Sequence, residues 1–228
     1  MRTKKALLAA LCAVLLVVGS VVGTMAYLTD TETVINTFTV GSVTFGDGAN
    51  EKGLDEALVN EYGDPINNDD EKTVVDLINA PRVQGNDYKL VPGHTYVKDP
   101  TIHIKNDSEN CYLYVKVENG ISAIEAETAG EYKCVADQLA DNDWVALPDV
   151  DNVYYQSWSP ANDLAAGDVT DDVVVFEEFA VAGAVDNATI EQNASETIVV
   201  TAYAVQADGF DSAAEAWAAT FGAPSAQG

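Results

Sequence analysis

The chain has 228 residues, with 37 acidic side chains against 11 basic ones and a formal net charge of −26. So acidic a surface has no basic patch to displace counterions, which excludes nucleic acid and anionic lipid as partners and leaves at most loosely held divalent cations. The length suffices for one domain with a sizeable core.

The basic residues are unevenly placed. Arg2, Lys4 and Lys5 crowd the start, an unbroken apolar run follows from Ala6 to Val18, and small and apolar residues continue to Ala26. A charged start, an apolar middle and small residues at the end are the layout of a secretory signal peptide. The run is shorter than the ~20 apolar residues of a spanning helix and is followed by Gly19 and Gly23. Thr24 and Ala26 hold the two positions of a cut before Tyr27 that shallow peptidase pockets restrict to small side chains. The expected organisation is a cleaved signal peptide over 1–26, an N-terminal strand over 27–45 and one β-sandwich domain over 46–228. An uncleaved N-terminal anchor is the competing reading. The end, "FGAPSAQG", has no wall-sorting motif or basic tail, so the mature chain is expected to be released or held outside the cell by its neighbours.

In Val34 to Phe45, Phe38 and Val40 share one strand phase, and Val43 and Phe45 the other. The change falls at Gly41 and predicts a bulge, since one extra residue flips the faces. Leu54, Leu58 and Tyr62 then recur every four residues among Asp55, Glu56 and Glu61, with Gly63 behind them. This spacing predicts a short amphipathic helix with a glycine stop. The acidic loop from Gly63 to Lys72 holds Asp64, Asn67, Asp69 and Asp70 as oxygen donors for calcium. The spacing is not that of an EF-hand, and a solvated loop is the stronger reading.

Pro92-Gly93 marks a turn. Ile102 and Ile104 alternate with polar residues, "NDSEN" turns the chain, and Leu113, Val115 and Val117 then oppose Tyr112, Tyr114 and Lys116. The pattern predicts two antiparallel neighbours, each with one buried face. Further strands are predicted at 144–147, 153–156, 173–179 and 197–205. Ser212 and Glu215 form a capping box, with Ala213, Trp217 and Phe221 on one helix face and Gly222 and Pro224 closing it. Short strands at near-regular spacing with small helices predict an antiparallel β-sandwich.

Catalytic motifs are absent: there is no H-E-x-x-H, no G-x-S-x-G and no glycine-rich phosphate loop. His94 and His103 are the only histidines, and a metal site would require both to meet a carboxylate in three dimensions. Cys111 and Cys134, the two thiols beyond the leader, allow one disulfide in an exported chain or two small buried side chains. Tyr112, Tyr114, Tyr154 and Tyr155 form either an exposed aromatic face or ordinary strand packing.

The segment "GTMAYLTDTETVINTFTVGSVTF" resembles the signal-peptide junction of SipW-type exported proteins, the TasA/camelysin-like family of Gram-positive bacteria. "VPGHTYVKDPTIHIKND" and "YLYVKVENG" resemble that family's early strands, and "TAYAVQADGF...AAEAWAATFG" its closing strand and helix. The resemblance implies a jelly-roll sandwich, cleavage by a dedicated signal peptidase, and assembly into biofilm matrix fibres with itself or homologous subunits. It also implies strand donation between subunits, in which backbone bonds give affinity and alternate side chains fill pockets. Here Thr33 to Phe45 is the expected donor, with Phe38, Val40, Val43 and Phe45 filling pockets. The cysteine pair departs from the family pattern. Some relatives carry the name metallo-endopeptidase, which makes a camelysin-like protease the alternative function, and a monomeric surface binding module the third.

Overall fold

The computed structural model describes residues 29–33, 37–38, 45–46, 53–67, 70–105, 107–126, 134–160 and 170–222. The leader, the cut at Tyr27, Gly41 and the side chains of Phe38, Val40 and Val43 lie outside this description, as does Asp69.

The strands, in chain order, are β1 (Thr29–Thr33), β2 (Thr37–Phe38), β3 (Leu54–Ala57), β4 (Ile66–Asn67), β5 (Asp70–Val74), β6 (Arg82–Val83) and β7 (Thr95–Val97), then β8 (Thr101–Lys105), β9 (Cys111–Asn119), β10 (Val145–Ala146), β11 (Val153–Trp158), β12 (Thr170–Val174), β13 (Glu178–Ala180) and β14 (Ile198–Gln206). Among the described residues three α-helices interrupt them: α1 (Val135–Asp141), α2 (Asn187–Asn193) and α3 (Ala213–Phe221). One sheet has the order β10-β11-β9-β14-β1-β2 and a second the order β12-β8-β3-β6. Two-stranded pairs β13-β7 and β4-β5 flank them. The fold is an all-β, antiparallel sandwich.

The core lies between the two main sheets. Ile102, Ile104 and Leu54 from the smaller sheet pack with Leu113, Val115, Val117, Val200, Ala202 and Ala204 from the larger one. The period-two pattern of β9 and β14 therefore reads as expected: one phase enters this core, and the other meets α3 on the outer face. There Tyr114, Val205, Ala213 and Ala216 are buried together, with Tyr203 and Trp217 against them. Trp217 lies 5.0 Å from the Tyr114 ring and 5.4 Å from that of Tyr203. Tyr114 donates its hydroxyl proton to the Ala213 carbonyl at 2.7 Å. The capping box forms: Ser212 Oγ accepts from the Glu215 amide, and Glu215 Oε2 accepts from the Asp211 amide. Gly222, with φ 98°, ends the helix in a conformation that favours glycine.

Two expectations are corrected. The segment around Leu54 is a strand and a turn, not a helix. All four residues of β3 are buried, because it runs between β8 and β6 and its two carboxylates find cations inside the protein. Gly63 is a turn residue, with φ 81°, whose Cα faces Tyr96 so closely that a Cβ would meet the Tyr96 Cα at 2.7 Å. Second, β8 and β9 are not paired neighbours. β8 lies between β12 and β3, and β9 between β11 and β14, so the short "NDSEN" connection carries the chain from one sheet to the other across the core. Alternation alone cannot separate these outcomes, because both strands bury one face either way. The tyrosines follow the second of their two readings, strand packing: Tyr114 is fully buried, and Tyr112 and Tyr155 pack into the same cluster against α3.

Candidate functional site

Two features stand out: the outer flank of β14, and a buried ionic cluster centred on β3.

β14 is flanked by β9 on one side and β1 on the other. The β9 seam runs over nine residues, from Ile198↔Asn119 to Gln206↔Cys111. The β1 seam runs over five, from Thr29↔Val205 to Thr33↔Thr201. β1 reads Thr-Asp-Thr-Glu-Thr, without one apolar residue, and is laddered to β14 along its whole length. β2 pairs only with β1, through Thr31↔Phe38 and Glu32↔Thr37. Together the two strands form the edge of the sheet beside the largely buried β14. Phe45 belongs elsewhere. It is buried in the core, bridges Ile104, and the following Gly46 amide donates to the His103 carbonyl at 2.8 Å. Of the expected donor side chains, Phe45 is thus a resident of its own core.

The ionic cluster starts from two consecutive buried carboxylates, Asp55 and Glu56, each of which requires a partner inside the protein. Arg82 Nε donates to Asp55 Oδ1 at 2.7 Å, its Nη1 to Asp99 Oδ2, and its Nη2 to the carbonyls of Asp55 and Asp99. Asp99 Oδ1 accepts the Ala57 amide at 2.7 Å. On the neighbouring residue, Glu56 takes Lys98 Nζ on one oxygen and Asn86 Nδ2 on the other. Arg82 and Lys98 are two of only eight cations beyond the leader. Their scarcity in so acidic a chain was the signal that sequence reasoning passed over.

His103 completes the cluster from β8. Its Nε2 lies 2.9 Å from Asp55 Oδ1 and its Nδ1 2.6 Å from Asp172 Oδ1 on β12. Burial opposes the imidazolium charge, but the hydrogen bonds and charges of the two carboxylates outweigh it and hold the pKa above its ordinary 6.5. The side chain therefore ties β3, β8 and β12 together. His94 stands apart, with Nε2 at 2.8 Å from the Tyr62 carbonyl and its ring edge-on to Tyr96. The two histidines do not meet at a carboxylate, and among the described residues no three His, Cys, Asp or Glu side chains are grouped to hold a metal. In the acidic loop, Asp64 accepts from Asn60 Nδ2.

Of the two readings left open for the cysteines, the disulfide is not formed: Cys111 and Cys134 are both free thiols. Cys111 is sealed at the start of β9, between Trp158 and Gln206 of the adjacent strands, and burial pushes its thiol up to about 12. Cys134 instead sits at the N-terminus of α1. Cys111 is a small buried side chain, as the second of the two readings has it, whereas Cys134 is only half-buried.

Among the described residues no helix is long and apolar enough to cross a membrane. Compared with known proteins, the chain matches no family model, no curated protein and no solved structure.

Proposed function

We propose that this chain is an exported structural subunit, or accessory component, of extracellular matrix fibres of the TasA/camelysin-like kind, joined by exchange of its N-terminal strand. The observation that carries the reading is the β1–β14 seam. A short polar strand, bonded through its backbone, covers the edge of a buried strand. The same strand from another copy makes the same ladder, so exchange between molecules leaves the number of hydrogen bonds unchanged. Head-to-tail exchange does not close on itself and gives filaments. The exchanged segment is Thr29 to Phe38, shorter than the Thr33–Phe45 span expected from sequence, because Phe45 is anchored in its own core.

Electron microscopy of the purified chain beginning at Tyr27 tests this reading, with fibres as the expected result. Deleting residues 27–38 is expected to abolish them and leave a folded domain by circular dichroism. Fibres from the deleted chain would overturn strand exchange. The deletion stops at Phe38 so that Phe45 stays in the core and loss of assembly is not loss of folding.

A further inference from the structure

The carboxylate of Glu56 carries two donors at once. Lys98 Nζ donates to its Oε2 at 2.5 Å and Asn86 Nδ2 to its Oε1 at 2.7 Å. An amine and a carboxamide are thereby held side by side on one acid. The acid and the amine are both withdrawn from water, with side-chain exposures of 6% and 11%, and Lys98 Nζ lies 5.9 Å from the centre of the Tyr88 ring. Lys116 and Glu118, by contrast, pair on the surface.

The carboxamide is polarised and held in one orientation. The Val59 amide donates to Asn86 Oδ1 at 3.0 Å, and Asn86 Nδ2 donates a second bond, to the Ala57 carbonyl, at 2.8 Å. Each end of the carboxamide meets the opposite kind of partner, which fixes which end is oxygen. A backbone amide on Oδ1 draws electron density from Cγ and stabilises negative charge developing on the oxygen. The short stretch 56–59 thus supplies the acid, the carbonyl and the amide. Keeping an ion pair charged out of water is costly. Proton transfer from Lys98 Nζ to Glu56 removes both charges and frees the amine lone pair.

We propose that Lys98 and Asn86 join in an intramolecular isopeptide bond, formed by the folded chain itself with release of ammonia, and that Glu56 is the catalytic residue. Glu56 takes one proton from the Lys98 ammonium. The Nζ lone pair attacks Asn86 Cγ, and the C=O π pair moves onto Oδ1 beside the Val59 amide. Through its two oxygens Glu56 then accepts a second proton from Nζ and delivers one to Nδ2. The Cγ–Nδ2 bond breaks, ammonia leaves and the C=O bond re-forms. Of the three ammonium protons, one stays on the new amide, one leaves with the ammonia and one remains on Glu56. No co-reactant is needed, and the buried charges are gone. Ammonia escapes through a cavity of about 570 Å³ that Glu56, Asn86 and Lys98 all line. The bond ties the loop after β6 to the segment between β7 and β8, and it does not depend on strand exchange.

The test is the intact mass of the purified chain beginning at Tyr27, folded by circular dichroism, which is expected to lie one ammonia below the sequence mass. Trypsin should leave Lys98 uncut, and peptide 83–89 should appear joined to peptide 90–105 through Asn86 and Lys98. Glu56→Gln keeps the size of the side chain but cannot take the proton, and Lys98→Arg removes the nucleophile. Both variants are expected to show their full mass and separate peptides. The full sequence mass in the folded parent chain, with Lys98 cleaved by trypsin and Asn86 unmodified, would overturn the proposal whatever the variants do. An ammonia loss mapped to other residues would overturn it as well, and a crosslink retained in Glu56→Gln would remove Glu56 from the catalytic role.

Discussion

The two flanks of β14 are bonded alike and held differently. On the β9 side, nine residue pairs are backed by side chains buried on both faces, Val200, Ala202 and Ala204 toward the main core and Val205 toward α3. On the β1 side, five pairs are formed by a strand with no apolar residue. The backbone ladder is common to both, and net it contributes only about 1 kcal/mol per bond. Apolar burial makes the difference, at roughly 1.5–3 kcal/mol for each large side chain enclosed. The comparison teaches that one flank belongs to the fold, while the other is attached by a term that any copy of the same strand can supply.

The largest expected effect is on the held flank. Leu113→Ala removes a fully buried side chain of β9 and is expected to lower unfolding stability by about 2–5 kcal/mol in a urea titration. A loss below about 1 kcal/mol would show that the flank is not held by burial.

A third seam, β3 against β6, is held by charge. Arg82→Met leaves Asp55 and Asp99 without their guanidinium, and a buried pair broken on one side costs roughly 3–5 kcal/mol. Arg82 is partly exposed, so the lower end, about 3 kcal/mol, is expected. A double variant that also replaces Asp55 by Asn should recover part of the loss, since one of the two orphaned charges is then gone.

The next effect is read in pH. His103 binds its proton more tightly in the folded chain than in the unfolded one. Its contribution is therefore complete below its ordinary pKa of 6.5 and is lost as pH rises through the folded value. Arg82, Asp55, Asp99 and Asp172 are the charged groups bonded into the same cluster. The urea midpoint is expected to fall as pH rises above about 6.5, and His103→Gln to flatten that fall. A fall of equal size in the variant would assign the pH dependence to other groups.

The smallest effect on stability, and the largest on assembly, is expected at the exchangeable flank. Thr31 lies between Tyr203 of β14 and Phe38 of β2, so Thr31→Pro removes a ladder bond on one side or the other. About 1 kcal/mol or less of domain stability should be lost, together with the fibres. A large loss of stability would mean that β1 is part of the fold's support and would remove the contrast between the flanks.

Much of this architecture was legible in the residues. The alternation of β9 and β14, the turn at Pro92-Gly93 and the capping box at Ser212 follow from local chemistry, and each is found in place. The site was less legible. Asp55 and Glu56 read as the wet face of a helix because a carboxylate is ordinarily exposed, and the cations that bury them lie 27 and 42 residues away. The helices α1 and α2 lack a strong apolar period and were not anticipated.

By itself, the sequence determined the class of fold, since side chains that alternate in phase can bury only one face of a strand. Only the tertiary structure decided which strands share a sheet. It parted β8 from β9, gave β3 its buried carboxylates, kept Cys111 from Cys134 and left β1 on the open flank of β14. The physical reason is the same in each case: these outcomes depend on partners distant in the chain, and neither the period nor the charge of a segment says which partner will arrive.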